Sequence, residues 1–390
     1  MSEQKIVREK LSAIKPPPPG GLDDVVAAQT ALSLVDGENS ALSYRGIAVQ
    51  ELAEKSNYEE TVFLLWEGRL PGKKELEAFR NRLAGCRQIS PEILDEMTRF
   101  PKTAHPMAFL RSMVSFLGAC DPEAENLSAT SLRTKAEKLT AVLPVILSAF
   151  FRIRQGLKPV VPHPGLMHAE NFLYMMHGKK PEAEGARALD AYLILLADHG
   201  LNASTFAARV TCATESDMYS AVTSAIGTLK GVLHGAANQK AMEMFLEIGA
   251  PDKAEAYVLN KLAEKKKIMG FGHRVYKKKD PRAAVFRAIA GKMLMSAKDS
   301  AWMEIAGRVE KVMTERKKLQ CNVDFYSAPV LYLLGFPVDF FTTVFAASRI
   351  AGWTGHVMEQ LAHNRLIRPG ADYTGPLDIP YITMEKRDLI

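Results

Sequence analysis

Residues 338–361 read VDFFTTVFAASRIAGWTGHVMEQL. Phe341, Phe345, Ile350, Trp353, Val357 and Leu361 recur mostly at spacings of three to five. That interval stacks side chains on one side of an α-helix and predicts a long helix with a broad apolar face. The same period recurs elsewhere. Met218, Val222, Ala225, Ile226 and Leu229 predict a helix over 216–229, with Ser216 as its candidate N-cap. Leu52, Ala53, Val62, Leu64 and Leu65 predict helix over 47–66, ahead of the break Arg69-Leu-Pro-Gly72. Strand signals are few. Ala41-Leu-Ser-Tyr44, after the turn pair Asp36-Gly37, predicts a small hairpin. The fold class is therefore mainly α.

The chain has 390 residues, 47% of them hydrophobic and 24% charged, enough for a sizeable core and more than one small domain. No run approaches the roughly 20 apolar residues of a membrane span. The opening MSEQKIVREKLSAIK is charged and has no apolar signal core, which points to a cytoplasmic protein without a membrane anchor. Cys86, Cys120, Cys212 and Cys321 form no CxxC pair and read as reduced, buried thiols, with no metal site. Lys15-Pro-Pro-Pro-Pro-Gly-Gly21 is a stiff-then-flexible linker that sets off an N-terminal arm, residues 1–20.

Charge is unevenly spread. Residues 253–320 hold 18 Lys and Arg against 7 Asp and Glu, a surplus of 11, while the whole chain carries only +6. An anionic partner would explain this, either nucleic acid or a phosphorylated small molecule. A solvated, lysine-rich surface would explain it equally. The basic region suggests a smaller domain inserted into a larger one. The expected division is 1–219, then 220–334, then 335–390.

Four segments combine rare polar residues with tight backbone. His199 lies between an apolar run and small residues, and is either a site residue or a core histidine bonded to a carbonyl. His234, in Leu233-His-Gly235, sits where another group can come close, so its N–H can stabilise a developing oxyanion; a merely tolerated turn residue fits as well. Met269-Gly-Phe-Gly-His-Arg-Val-Tyr-Lys-Lys-Lys-Asp-Pro-Arg282 joins Gly270 and Gly272, which expose backbone amides, to His273. Lys277 and its neighbours suit phosphates, and Arg282 suits a carboxylate. An exposed basic loop would also read this way, though such a loop has little need of Gly-Phe-Gly-His. Asp324, between Val323 and Phe325, is either a desolvated base or a helix cap. Arg349 interrupts the apolar helix and needs an anion if buried. Arg368 follows that helix. No nucleophile elbow or GxxxxGK[ST] loop is present. Several arginines, one carboxylate and histidine donors point to proton abstraction beside a carbonyl in a polycarboxylate setting.

These blocks resemble the citrate synthase family, which includes 2-methylcitrate synthases. The resemblance runs from Gly21 to Pro369. It includes Tyr44-Arg-Gly46, His105-Pro-Met107, Asp198-His199, Asn202-Ala-Ser-Thr205, Leu233-His-Gly235, Gly270-Phe-Gly-His-Arg-Val-Tyr276, Asp280-Pro-Arg282, Asn322-Val-Asp-Phe-Tyr326, Gly352-Trp353 and Arg368-Pro369. It implies a two-domain helical fold, with a large domain and an inserted small CoA-binding domain. It implies condensation of acetyl-CoA, or propionyl-CoA, with oxaloacetate, followed by thioester hydrolysis. The acyl-CoA is a cosubstrate, and no permanently bound cofactor is implied. In that reading Asp324 takes the acyl proton, His234 holds the thioester oxygen, and His273 polarises the keto group. His199, Arg282 and Arg349 bind oxaloacetate. Arg368 reaches a neighbouring subunit's site, so a homodimer is implied. Gly270, Gly272 and Lys277 face CoA.

Four positions depart from the family pattern: Gly200, Ala236, Ala328 and Gly370. None removes a residue assigned to chemistry. They motivate a rival reading, a folded but slow relative. A further rival, a nucleic-acid scaffold, lacks the aromatic interleaving and groove-reading motifs that such binding uses.

Overall fold

The Asp36 carboxylate accepts from the Asn39 backbone and side-chain amides at 2.9 and 2.7 Å, closing the expected turn. Around it β1 (Ser33–Asp36) and β2 (Ala41–Tyr44) pair antiparallel, with Ser33 opposite Tyr44. A third strand, β3 (Ile47–Ala48), follows a turn in which Arg45 and Gly46 both have positive φ, 48° and 87°. Two consecutive left-handed residues match the twist of a tight hairpin. The expected helix from residue 47 therefore starts two residues later.

The computed structural model describes residues 21–22, 25–273, 275–293 and 300–387; the arm 1–20 and Arg274 lie outside them. After β3 come α1 (Val49–Lys55), α2 (Tyr58–Glu67), α3 (Lys73–Gly85), α4 (Pro91–Arg99), α5 (Pro106–Ala119) and α6 (Ala129–Arg154). Next are α7 (His168–His177), α8 (Ala183–Leu196), α9 (Ala203–Cys212), α10 (Met218–Leu229), α11 (Ala237–Ile248) and α12 (Ala254–Ala263). The series ends with α13 (Ala283–Met293), α14 (Ser300–Lys317), α15 (Val323–Leu333), α16 (Phe341–Ala362) and the short α17 (Met384–Arg387). The mainly α expectation holds.

The described residues between 30 and 366 form one compact unit; residues 21–22, 25–29 and 367–387 belong to another. In the second unit the Tyr373 hydroxyl donates to Pro376 O at 3.0 Å, and the Arg387 guanidinium lies 5.3 Å from the Tyr381 ring centre. Arg368 belongs to that unit and is exposed.

Local chemistry starts the helices where they begin. Asn57, Ser128, Asn202 and Asp217 each accept from the N–H three residues on, satisfying donors that the helix leaves open. Asp217 therefore caps α10 in place of the expected Ser216. The helix α16 is buried all round through its middle, beyond the single apolar face its sequence suggests, because α2, α6, α8, α9 and α10 all pack on it. Gly352 allows the segment after α8 to come close: a Cβ there would stand 2.4 Å from Asp198 Oδ1. All four thiols are free, but only Cys212 and Cys321 are buried; Cys120 ends α5 at the surface and Cys86 is half-buried. Among the described residues, no helix is long and apolar enough to cross a membrane.

Candidate active site

Three carbonyls at the end of α8 hold α16 in register. Ser348 Oγ donates to Leu193 O (2.6 Å), Arg349 Nε to Leu196 O (2.7 Å) and the Gly352 N–H to Ala197 O (3.0 Å). Arg349 is thereby fixed beside Asp198 and His199, the next residues along the chain. It is 1% exposed, and among the described residues no carboxylate lies within ion-pair distance of it. Burial pulls its proton affinity down, and the Asp198 charge acts in the other direction. A buried guanidinium without a direct ion partner is suited to a bound anion.

Asp198 is fully buried and well supplied with donors. Ser33 Oγ donates to it at 2.5 Å and the Gly200 N–H at 3.1 Å. Behind it, Arg209 donates to His356 Nδ1 at 2.9 Å, which leaves the proton on Nε2, 3.2 Å from Asp198 Oδ1. Gly200 has φ +56°, and a Cβ there would be 3.1 Å from Val35, so the residue departing from the family pattern suits this turn.

His273 approaches from the other side. Its Nδ1 accepts from the Val275 and Tyr276 backbone N–H groups at 3.0 and 3.2 Å. Backbone amides can only donate, so a neutral His273 carries its proton on Nε2. Its ring centre is 5.5 Å from His199 and 4.5 Å from Tyr276, and the Tyr276 hydroxyl is 3.0 Å from His199 Nε2. Gly270 and Gly272 have φ +81° and +75°, as a tight glycine turn requires.

This loop is stitched to the start of α15. The Gly272 N–H donates to Gln320 O (3.1 Å), the Asn322 N–H to Gly270 O (2.9 Å) and Asn322 Nδ2 to Gly272 O (2.9 Å). Asn322 also caps α15, accepting from the Asp324 N–H at 3.1 Å. Asp324 is thus in the first turn but is not the cap. Asp280 adds another tie. It grips Arg282 with two bonds, 2.9 and 2.8 Å, and accepts from the Val323 N–H at 3.0 Å. Asp280 and Arg282 are both buried, and this fork uses Nε and Nη2, not Nη1, of Arg282.

His234 rests on Ser204, in the first turn of α9. Its Nε2 lies 2.8 Å from Ser204 Oγ and accepts the Ser204 N–H at 3.3 Å. The proton of neutral His234 therefore sits on Nδ1. Trp353 Nε1 donates to the same Ser204 Oγ at 3.2 Å.

Electrostatics unite these groups. Burial pushes the Asp324 carboxyl up to about 6; Arg282 opposes this and Asp280 reinforces it. Burial lowers His234 to about 4, assisted by Arg349. Burial and Arg282 lower His273 to about 4. His199 falls well below its usual range through burial, Arg282, Arg349 and His273. Asp324, His199 and His234 all feel Arg349, while Asp324, His199 and His273 all feel Arg282. Neutral imidazoles and one basic carboxylate therefore share a cationic neighbourhood.

Lys277 projects elsewhere, pairing with Glu38 on the hairpin turn. Several other basic side chains of 253–320 are paired as well: Lys261 with Glu247, Arg287 with Glu310 and Arg308 with Glu304. Ala328 is fully buried in α15, and Ala236 is half-buried just before α11. Sequence reasoning missed Tyr276, Asp280, Ser204, Asn322 and the Asp198–His356 pair as supports. Two of these had a signal: Asp280 and Asn322 each stand two residues before a named site residue.

Known proteins give independent context. The family model described as citrate synthase, C-terminal domain, matches residues 21–370. Citrate synthase 2 of Bacillus subtilis strain 168 is 46% identical over 94% of this chain and 98% of its own. A 2-methylcitrate synthase of Mycobacterium tuberculosis is 43% identical over 91% of this chain and 90% of its own. Among solved structures, the ternary complex of carboxymethyl coenzyme A and oxaloacetate with citrate synthase from Thermoplasma acidophilum superposes with a TM-score of 0.88. It is 33% identical and covers 94% of this chain and 98% of that one.

Proposed function

This chain belongs to the citrate synthase family and has its helical fold, and on that footing we propose that it condenses acetyl-CoA with oxaloacetate and hydrolyses citryl-CoA to citrate and CoA. The observation that carries the proposal is the carboxyl of Asp324, raised to about 6 and sharing a cationic site with neutral imidazoles. A carboxylate with that affinity is a stronger base than an ordinary one and is still ionised at neutral pH.

Asp324 takes a proton from the acetyl methyl group. The His234 Nδ1–H, set by Ser204, donates to the thioester oxygen as it gains charge. The new carbon nucleophile attacks the keto carbon of oxaloacetate. The His273 Nε2–H, set by the two backbone donors, goes to the keto oxygen as the carbon–carbon bond forms. Arg349, Arg282 through Nη1, and His199 hold the dicarboxylate. Water then cleaves the thioester. Gly270 and Gly272 offer backbone to CoA, and Lys277 offers charge to its phosphates after release from Glu38. Residues 220–334 act as the smaller, CoA-binding domain. Arg368 of one protomer completes the site of the other in a homodimer, and the enzyme works in the cytoplasm.

Thiol release with acetyl-CoA and with propionyl-CoA at fixed oxaloacetate tests this. Faster, oxaloacetate-dependent release with acetyl-CoA is expected. A reversed preference would make the chain a 2-methylcitrate synthase, the reading favoured by the mycobacterial relative. Release at background with both substrates overturns the catalytic reading.

A further inference from the structure

Tyr276 is 4% exposed and makes separate contacts with both imidazoles of the keto-acid site. Its hydroxyl is 3.0 Å from His199 Nε2, its backbone N–H donates to His273 Nδ1, and its ring lies 4.5 Å from the His273 ring centre. Burial raises its proton affinity, so the phenol stays neutral and keeps a hydrogen to share. The segment around it is seated on the β1–β2 turn. The Lys277 N–H donates to Gly37 O at 3.1 Å and the Lys279 N–H to Ser40 Oγ at 3.2 Å. A Cβ on Gly37 would stand only 2.4 Å from Val275 O. His199 and His273 are otherwise carried by segments far apart in the chain. The Tyr276 hydroxyl is a direct side-chain bond from the His273 segment to His199.

We propose that Tyr276 is a positioning residue for the keto acid: its hydroxyl holds His199 against the His273 loop, so that both imidazoles serve the same small dicarboxylate. The proposal rests on the condensation reading above. It assigns Tyr276 no proton transfer. The phenol narrows the orientations open to His199, so less ordering is left to the arriving substrate.

Tyr276→Phe keeps the ring packing and removes only the hydroxyl. Loss of one part-buried hydrogen bond predicts a rise in KM for oxaloacetate of about tenfold. KM for the acyl-CoA should stay within a factor of two (~2), and kcat should change far less than KM for oxaloacetate. A purely structural role would instead lower the melting temperature and raise both KM values together. Unchanged KM for oxaloacetate in a Tyr276→Phe enzyme overturns the proposal, and so does an equal rise in both. Wild-type protein without oxaloacetate-dependent thiol release overturns the condensation reading itself, so the two failures are distinguishable. As a check on folding, Tyr276→Leu should reproduce the oxaloacetate effect and add a loss of thermal stability that Tyr276→Phe lacks. If Tyr276→Leu leaves KM for oxaloacetate unchanged, the proposal also falls.

Discussion

Asn322 and Gly272 are bound to each other, the side-chain amide of one donating to the carbonyl of the other at 2.9 Å across fifty positions of sequence. The same asparagine caps the helix whose first turn carries Asp324. One side chain therefore couples the glycine turn before His273 to the turn that carries Asp324. Asn322→Ala should lower stability by about 1 kcal/mol through the lost cap. It should also lower kcat by about 10- to 100-fold, because small displacements of reacting groups are costly. Denaturant melts and steady-state rates measure both; a normal kcat would show that this tie does not set catalytic geometry.

Asp324→Asn removes a half-buried charge and the proposed base at once. Condensation should fall by about 10³-fold. Stability should move the other way. The folded carboxyl titrates near 6 against 3.8 for the free group, so folding opposes its ionisation. The penalty is absent below pH 3.8, grows as pH rises to about 6, and is complete above that. Asp324→Asn should thus gain about 1–3 kcal/mol at pH 7.5 and nothing near pH 3.5. In the wild type, kcat/KM should decline as pH falls through about 6, since His234 and His273 protonate only near 4. An acid limb at pH 4 would remove Asp324 from the role of base.

Gly270 and Gly272 separate two costs. Both have positive φ, but a Cβ on Gly270 would meet Phe325 Cβ at 2.7 Å, whereas nothing lies within 4 Å of one on Gly272. Gly272→Ala should cost about 1 kcal/mol, for backbone conformation alone. Gly270→Ala should cost about 2 kcal/mol more, since Phe325 is packed in the core and cannot retreat freely. Equal losses in thermal denaturation would contradict the contact.

His168 is buried with neither ring nitrogen hydrogen-bonded to another described residue, and burial lowers it to about 3. Folding keeps it neutral, while the unfolded chain takes a proton below about 6.5. Its contribution to stability is complete above pH 6.5 and is lost as pH falls toward 3. A His168→Phe variant should therefore show a shallower loss of stability between pH 6.5 and 4 than the wild type. Parallel slopes would argue that another group controls acid unfolding.

Much of the fold was legible because short-range rules govern it. Spacing of apolar residues marked α10 and α16, and the Asp36-Gly37 pair marked the hairpin. Misses arose where neighbouring positions compete: Asp217 took the cap assigned to Ser216, and Arg45-Gly46 turned the chain into a third strand. The candidate site residues stood out as isolated oddities, such as Asp324 among apolar neighbours. Their supports stood out less, Asp280 and Asn322 only by standing two residues before a site residue. Asp280 reads as an ordinary turn residue before proline, yet it joins Arg282 to Val323, and Tyr276 reads as one more aromatic in a basic loop.

The sequence by itself determined which segments are helical and which side chains are chemically unusual, since both follow from residue type and spacing along the chain. Tertiary structure decided protonation and partnership. A histidine's tautomer depends on which backbone amides meet it, and an aspartate's basicity depends on how much water is excluded and which charges stand nearby. Those neighbours come from segments up to more than a hundred positions away, and packing alone brings them together.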